Sequence, residues 1–99
     1  VKTVEIKQRA MDDLREISDY IARDDPSQAE SYIAELLKRI AWVGDNPLLY
    51  RVRLRWKYDL RIAHHGRYQI VYRADDVSVV ILRVAHSSRD LNALLEEIE

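Results

Sequence analysis

Along the chain, the rhythm of apolar and polar positions changes twice. Val1 to Ile6 alternates with a period of two, the pattern of a short half-buried strand, and predicts an edge strand. From Ala10 the apolar residues fall at Ala10, Leu14, Ile17 and Ile21, a spacing that stacks them on one helical face. Asp24-Asp25-Pro26 stops that helix near Arg23 and starts a second, with Asp25 as N-cap, Pro26 at the first helical position and Gln28 three residues after the cap. The second stripe reads Ala29, Ile33, Leu36, Leu37, Ile40 and Val43, until Gly44 and Asn46-Pro47 deny it a continuation. Two amphipathic helices with so short a link predict an antiparallel hairpin.

After Pro47 the period returns to two. Arg51, Arg53, Arg55 and Lys57 alternate with Val52, Leu54, Trp56 and Tyr58, so an extended chain carries four cations on one face and four apolar groups on the other. Leu60 to His64, Tyr68 to Arg73 and Val77 to Val84 read as a three-stranded antiparallel meander, with turns at His65-Gly66 and Asp75-Asp76. The continuous run Val79-Val80-Ile81-Leu82 predicts a central strand covered on both faces. Ser87, with Asp90 three residues on, reads as a capping box for a short C-terminal helix bearing Leu91, Leu94, Leu95 and Ile98. At about three turns that helix is too short to stand alone in water, so it must pack on its own sheet or on a partner. The expected class is α+β, with an N-terminal strand, a helix hairpin, the meander and the short helix in one domain over residues 1–99.

Composition narrows the possibilities. Ninety-nine residues, 47% of them apolar, suffice for one core, and two Gly with two Pro exclude collagen-like or disordered chains. The absence of Cys removes disulfides and cysteine-based zinc sites and suits a reducing compartment, so a cytoplasmic location is expected. Val79 to Leu82 is far too short to span a bilayer, and no membrane association is expected. The net charge of −1 conceals segregation. Residues 1–50 hold seven Lys/Arg and ten Asp/Glu (net −3), residues 51–73 seven and one (net +6), and residues 74–99 two and six (net −4). This basic island is one place for an anionic partner, although a chain of pI about 6.3 lacks the overall positive field of a typical nucleic-acid binder.

Several chemistries find no support. His64 and His65 are adjacent on a strand and turn, so their side chains diverge, and no metal site is expected. Ser87 and Ser88 lie in no nucleophile elbow and read as helix caps. With glycine only at 44 and 66 there is no phosphate-cradling loop, and no cofactor is expected. Metal-free acid–base chemistry on RNA stays open, because Arg67, Arg83 and His86 fall on neighbouring strands and could converge on one phosphate. The plainer reading makes Arg67 and Arg83 surface strand residues and hydrogen-bonds His86 to backbone at the strand end. The Arg51 to Lys57 stripe likewise reads either as a solvated edge that discourages aggregation or as a surface for an anionic partner.

Three segments, spanning nearly the whole chain, resemble the ParE/RelE superfamily of bacterial type II toxins. They are Ala10-Met11-Asp12-Asp13-Leu14-Arg15-Glu16-Ile17 with Tyr20-Ile21-Ala22 and Asp25-Pro26; Leu60-Arg61 with Gly66-Arg67-Tyr68-x-Ile70-Val71-Tyr72-Arg73; and Val80-Ile81-Leu82-Arg83-Val84-x-His86-x-x-Arg89-Asp90. The resemblance implies a toxin-antitoxin system, with roles in plasmid stabilisation and growth arrest. Its toxin is neutralised by a co-expressed antitoxin of ribbon-helix-helix type whose disordered tail wraps around it. It implies no sequence-specific DNA contact except through that antitoxin.

The superfamily divides by target: RelE-type members cut mRNA in the ribosome with basic residues and often a C-terminal Tyr, whereas ParE-type members poison DNA gyrase. Aligned on these motifs, the positions of two RelE catalytic Arg residues and of the Tyr carry Gln69, Ser87 and Ala93. The expectation is therefore a ParE-type gyrase inhibitor that performs no chemistry itself. The runner-up is a RelE-like endoribonuclease using His86 with Arg67, Arg83 or Arg89, and the third reading is a non-toxic binding module that retains the fold. Expected antitoxin- or target-binding residues are Arg51, Arg53, Arg55, Lys57 and Arg61, together with Leu91, Leu94, Leu95 and Ile98.

Overall fold

The computed structural model describes residues 3–55, 57 and 59–96, the side chain of Leu95 excepted. Its elements are β1 (Thr3–Ile6), α1 (Gln8–Ala22), α2 (Pro26–Asp45), a 3-10 turn (Pro47–Leu49), β2 (Val52–Arg55), β3 (Asp59–His65), β4 (Tyr68–Ala74), β5 (Ser78–His86) and α3 (Leu91–Glu96). The strands form one sheet in the order β1-β5-β4-β3-β2. Strands β2 to β5 are an antiparallel meander, and β1 lies parallel to β5 on the outer edge, from Thr3 opposite Ser78 to Ile6 opposite Ile81. The meander thus has four strands where the sequence suggests three, because the Arg51 to Lys57 run pairs through Val52–Arg55 with β3.

The helix hairpin covers one face of the sheet. Leu14, Ile17, Leu36, Ile40 and Val43 pack there against Ala63, Ile70, Tyr72, Val79, Ile81 and Val84. The opposite face holds Leu60, Ile62, Val71, Val80 and Leu82, with Leu54 and Leu91 packed against them. Strand β5 is accordingly buried from Val79 to Ala85, as its continuous apolar run requires. Leu37 departs from the expected stripe and is exposed; one residue on from Leu36 is a rotation of about 100°, which takes it off the buried face.

Local chemistry sets the element ends. The Asp25 carboxylate accepts the Gln28 N–H at 3.1 Å and caps α2. At the far end, Asn46 N–H donates to the carbonyls of Trp42 and Val43. The β3–β4 loop is Gly66-Arg67, one residue beyond the expected His65-Gly66, and Gly66 takes φ 57°, as a tight hairpin with glycine at its first loop position demands. Asp75 accepts N–H bonds from Val77 and Ser78 at the β4–β5 turn, which holds its carboxyl below the ordinary range. The start of α3 corrects the sequence reading: Asp90, not Ser87, caps it, accepting the Asn92 N–H at 3.1 Å. Ser87 is engaged elsewhere, its N–H donating to the Arg67 carbonyl at 2.7 Å, so the helix begins later than a Ser87 cap would place it.

Candidate functional site

Strand β1 pairs with β5 only as far as Ile81, and Asp13 of α1 takes over beyond it. Its carboxylate accepts the Val84 N–H at 2.9 Å and a forked pair of bonds from Arg83, Nε to Oδ2 at 2.7 Å and Nη2 to Oδ1 at 3.0 Å. Both residues are buried, Asp13 at 5% exposure and Arg83 at 2%. The pair sits beside an irregularity in the β4–β5 register, where Val71 faces Arg83 and Tyr72 faces Ile81, leaving Leu82 as an extra residue. Arg83 is therefore neither a surface strand residue nor a group free to meet a phosphate. Its charge is spent inside the fold.

The other three nuclease candidates do come together, at the end of the sheet where the β3–β4 turn meets the end of β5. Arg67 occupies the exposed turn and its carbonyl holds Ser87. The Arg89 N–H donates to the His86 carbonyl at 2.9 Å. The His86 Nδ1 accepts the Ser88 N–H at 3.1 Å and lies 2.8 Å from Ser88 Oγ, so the expected backbone bond is present. Ser88 is thus a partner of His86 and not a helix cap. Beneath them Gln69 is buried, its Nε2 within 3.5 Å of the carbonyls of His86 and Arg89.

A shallow groove runs from this corner along the hairpin. Tyr20 and Tyr68 line it throughout, with Glu16, His86, Arg89 and the edge of the Asp13–Arg83 pair towards the end of β5, and Asp24, Tyr32 and Arg67 towards the turn. Tyr20 is 66% exposed, and the rings of Tyr32 and Tyr68 lie 5.9 Å apart. Burial raises the pKa of both Tyr32 and Tyr68, which keeps these phenols neutral hydrogen-bonding groups.

The basic island divides in the fold. Arg51, Arg53, Arg55 and Lys57 are all exposed along the outer strand β2 and just beyond, and Arg55 is paired with Asp59 at 3.2 Å. Arg67 lies at the opposite end of β3. Arg61, on β3, is half-buried and its Nη1 donates to the Tyr50 carbonyl. Leu91 is half-buried against the sheet and Leu94 fully buried, so α3 docks on its own body; Leu95's side chain and Ile98 lie outside the described residues. No cluster of three metal-binding side chains exists among the described residues, and none of their helices is long and apolar enough to cross a membrane.

The family model described as the ParE toxin of the type II toxin-antitoxin system parDE matches residues 4–91. The chain belongs to the ParE toxin family. Among solved structures, a chain of the chromosomal ParDE toxin-antitoxin system from P. aeruginosa superposes with a TM-score of 0.72 at 16% identity, over 86% of this ParE-family chain and 95% of that one. A chain of the RelBE2 toxin-antitoxin complex from Mycobacterium tuberculosis superposes with a TM-score of 0.63 at 28% identity, over 86% and 96%. No curated protein matches in sequence.

Sequence reasoning passed over two features of this ParE-family chain. Asp13 lies on the same helical face as Ala10, Leu14 and Ile17, and an acid on an apolar stripe is a signal that a buried partner exists. Tyr20 lies two helical turns on from Asp13 at the margin of the same face, and its large ring stands in solvent at the centre of the groove.

Proposed function

We propose that this ParE-family chain is the toxic component of a type II toxin-antitoxin pair, held inactive by a cognate antitoxin, and that it inhibits DNA gyrase by protein contact. The observation that carries the reading is the closure of Arg83 in its buried pair with Asp13, which removes one cation from the nuclease set. Three further positions support it: Gln69 is buried beneath the corner, and Ser87 and Ala93 supply no acid, base or cation. Overall neutrality adds weight, because binding ribosomal RNA requires neutralising many phosphates.

The RelE-like alternative keeps one favourable observation, the gathering of Arg67, His86 and Arg89 at one corner. One experiment separates the two: purified protein assayed against gyrase supercoiling and DNA cleavage, alongside a translation extract programmed with a defined mRNA. Inhibited supercoiling with intact mRNA is the expected outcome, and mRNA cut at the ribosome with unaffected gyrase would overturn it. His86→Ala is expected to leave gyrase inhibition intact, since the ring's bonds are local to Ser88.

A further inference from the structure

Tyr32 and Tyr68, on the inner wall of the groove, are the middle rungs of a ladder of rings. His65, Tyr32, Tyr68 and His86 follow one another with centroids 5.5, 5.9 and 5.5 Å apart. The Tyr32 hydroxyl donates to the His65 carbonyl at 3.4 Å, and Gly66 lies so close that a Cβ there would meet that hydroxyl. The wall is thus held by its own contacts before any ligand arrives, which lowers the cost of binding. Tyr68 shares the helix side of β4 with Ile70, whereas side chains alternate along a strand and Gln69 faces the other way with Val71, so the groove opens on the face of the sheet opposite Gln69.

The section beside the turn is an open cleft of about 470 Å³ lined by Tyr20, Tyr32 and Tyr68 with Asp24, Gln28 and Arg67. Clefts that hold small ligands span about 300–1,000 Å³. The tyrosine rings suit a flat heterocycle, and Asp24 and Gln28 supply an acceptor and a donor for its polar edge. Arg67 lines this section and His86 and Arg89 line the adjoining one, so the cations gather at one end. Glu16 opposes them there, while Asp13 and Arg83 cancel within their own pair, which leaves the two exposed arginines in excess over one carboxylate. A stacking wall with a polar edge, joined to a local excess of positive charge, is complementary to a base joined to a phosphate.

We propose that the groove binds a free purine nucleoside phosphate, its base against Tyr20, Tyr32 and Tyr68 with the polar edge at Asp24 and Gln28, and its phosphate towards Arg67 and Arg89. A free nucleotide matches the charges better than a nucleic-acid strand, because a strand needs cations along its whole backbone and here Glu16 and Asp24 interrupt them. A purine is selected over a pyrimidine by its larger stacking area. The site binds and makes or breaks no bond, and it stands independently of which target the toxin has.

The test titrates the purified full chain with adenosine and guanosine monophosphate, and with adenosine, ribose phosphate and inorganic phosphate for comparison, by calorimetry and amide chemical-shift mapping. A dissociation constant between about 10 μM and 1 mM is expected for a purine monophosphate, with the shifts centred on the end of α1, the start of α2 and the β3–β4 turn. Tyr20→Ala removes an exposed ring without touching the core and is expected to weaken binding about 5- to 100-fold, the range of base–aromatic stacking. Arg67→Gln is expected to narrow the advantage of adenosine monophosphate over adenosine, and Asp76→Ala, exposed at the other end of β4, to bind like wild type. Absence of binding by either monophosphate at about 5 mM overturns the inference, as does a Tyr20→Ala variant that binds within twofold of wild type. Ribose phosphate or inorganic phosphate that binds as tightly as the nucleotide reduces the corner to an anion site and also overturns it. A single-stranded oligoribonucleotide that binds more than about 10-fold tighter than the monophosphates, and loses that affinity in Tyr20→Ala, gives the groove to a strand and likewise overturns it. The gyrase assay tests the toxin reading separately, so failure of one leaves the other standing.

Discussion

Replacing Arg83 by Met is the most searching perturbation of this fold, because it removes the cation and keeps the bulk of the side chain. In the native pair the Asp13 carboxylate accepts three bonds, two from Arg83 and one from the Val84 N–H. The substitution deletes the two charged bonds and leaves a carboxylate at 5% exposure with one neutral donor. Breaking a buried pair from one side costs about 3–5 kcal/mol.

Against a total stability on the order of 5–10 kcal/mol, Arg83→Met therefore removes close to half. At about 4–8 °C per kcal/mol for a domain of this size, the melting temperature falls by roughly 15–30 °C. Urea unfolding of the isolated toxin, followed by circular dichroism, should show a lower midpoint with an unchanged slope. Asp13→Asn combined with Arg83→Met keeps an acceptor for Val84 and removes both charges, and should recover most of the loss. An Arg83→Met variant within about 1 kcal/mol of wild type at pH 7 would refute the claim that the pair is closed and desolvated.

Three further outcomes can be checked by the same unfolding assays. Gly44→Ala would gain up to about 1 kcal/mol in helix propensity, yet its Cβ would clash with Val4 Cγ2, so the valine side chain or β1 with it must shift and the net effect should be destabilising; pairing it with Val4→Ala should restore stability. Gly66→Ala combines φ 57° with a Cβ 2.8 Å from the Tyr32 hydroxyl and should cost about 1–3 kcal/mol, read as a lower urea midpoint. Tyr72→Phe strips the Pro47 carbonyl of its buried donor and should cost about 1–3 kcal/mol at neutral pH. Burial first, with Tyr50 adding and Arg61 opposing, pushes the Tyr72 pKa up to about 12. The unfolded phenol therefore loses its proton first, so wild type should lose stability from about pH 10 towards pH 12 and the gap to Tyr72→Phe should close over that window.

What the sequence disclosed and what it withheld follow from the range of each interaction. The helix hairpin was legible because Asp25-Pro26 and the stripes act over a few residues, and the continuous run in β5 was legible because burial on both faces leaves an unbroken apolar string. Asp13 and Arg83 lie seventy residues apart, and a contact of that span leaves no period to read. Ser87 and Asp90 are both good caps, and the choice between them was made by a tertiary bond from Ser87 to the Arg67 carbonyl. The +6 island is a sum along the chain, whereas β3 separates Arg55 from Arg67 by a seven-residue strand, about 20 Å in length. The stripe on β2 and the corner at Arg67 are therefore two surfaces, each with its own chemistry.

The placement of β1 beside β5 also bears on how the toxin comes into being on the ribosome. Residues 3–6 find their partners only at 78–81, and Asp13 finds its own at 83 and 84. Such distant pairings are slow to close and cannot form until β5 has left the exit tunnel. The helix hairpin therefore waits, with its docking face open, until the last third of the chain supplies the strand that covers it, and completion of the sheet is a late event in folding.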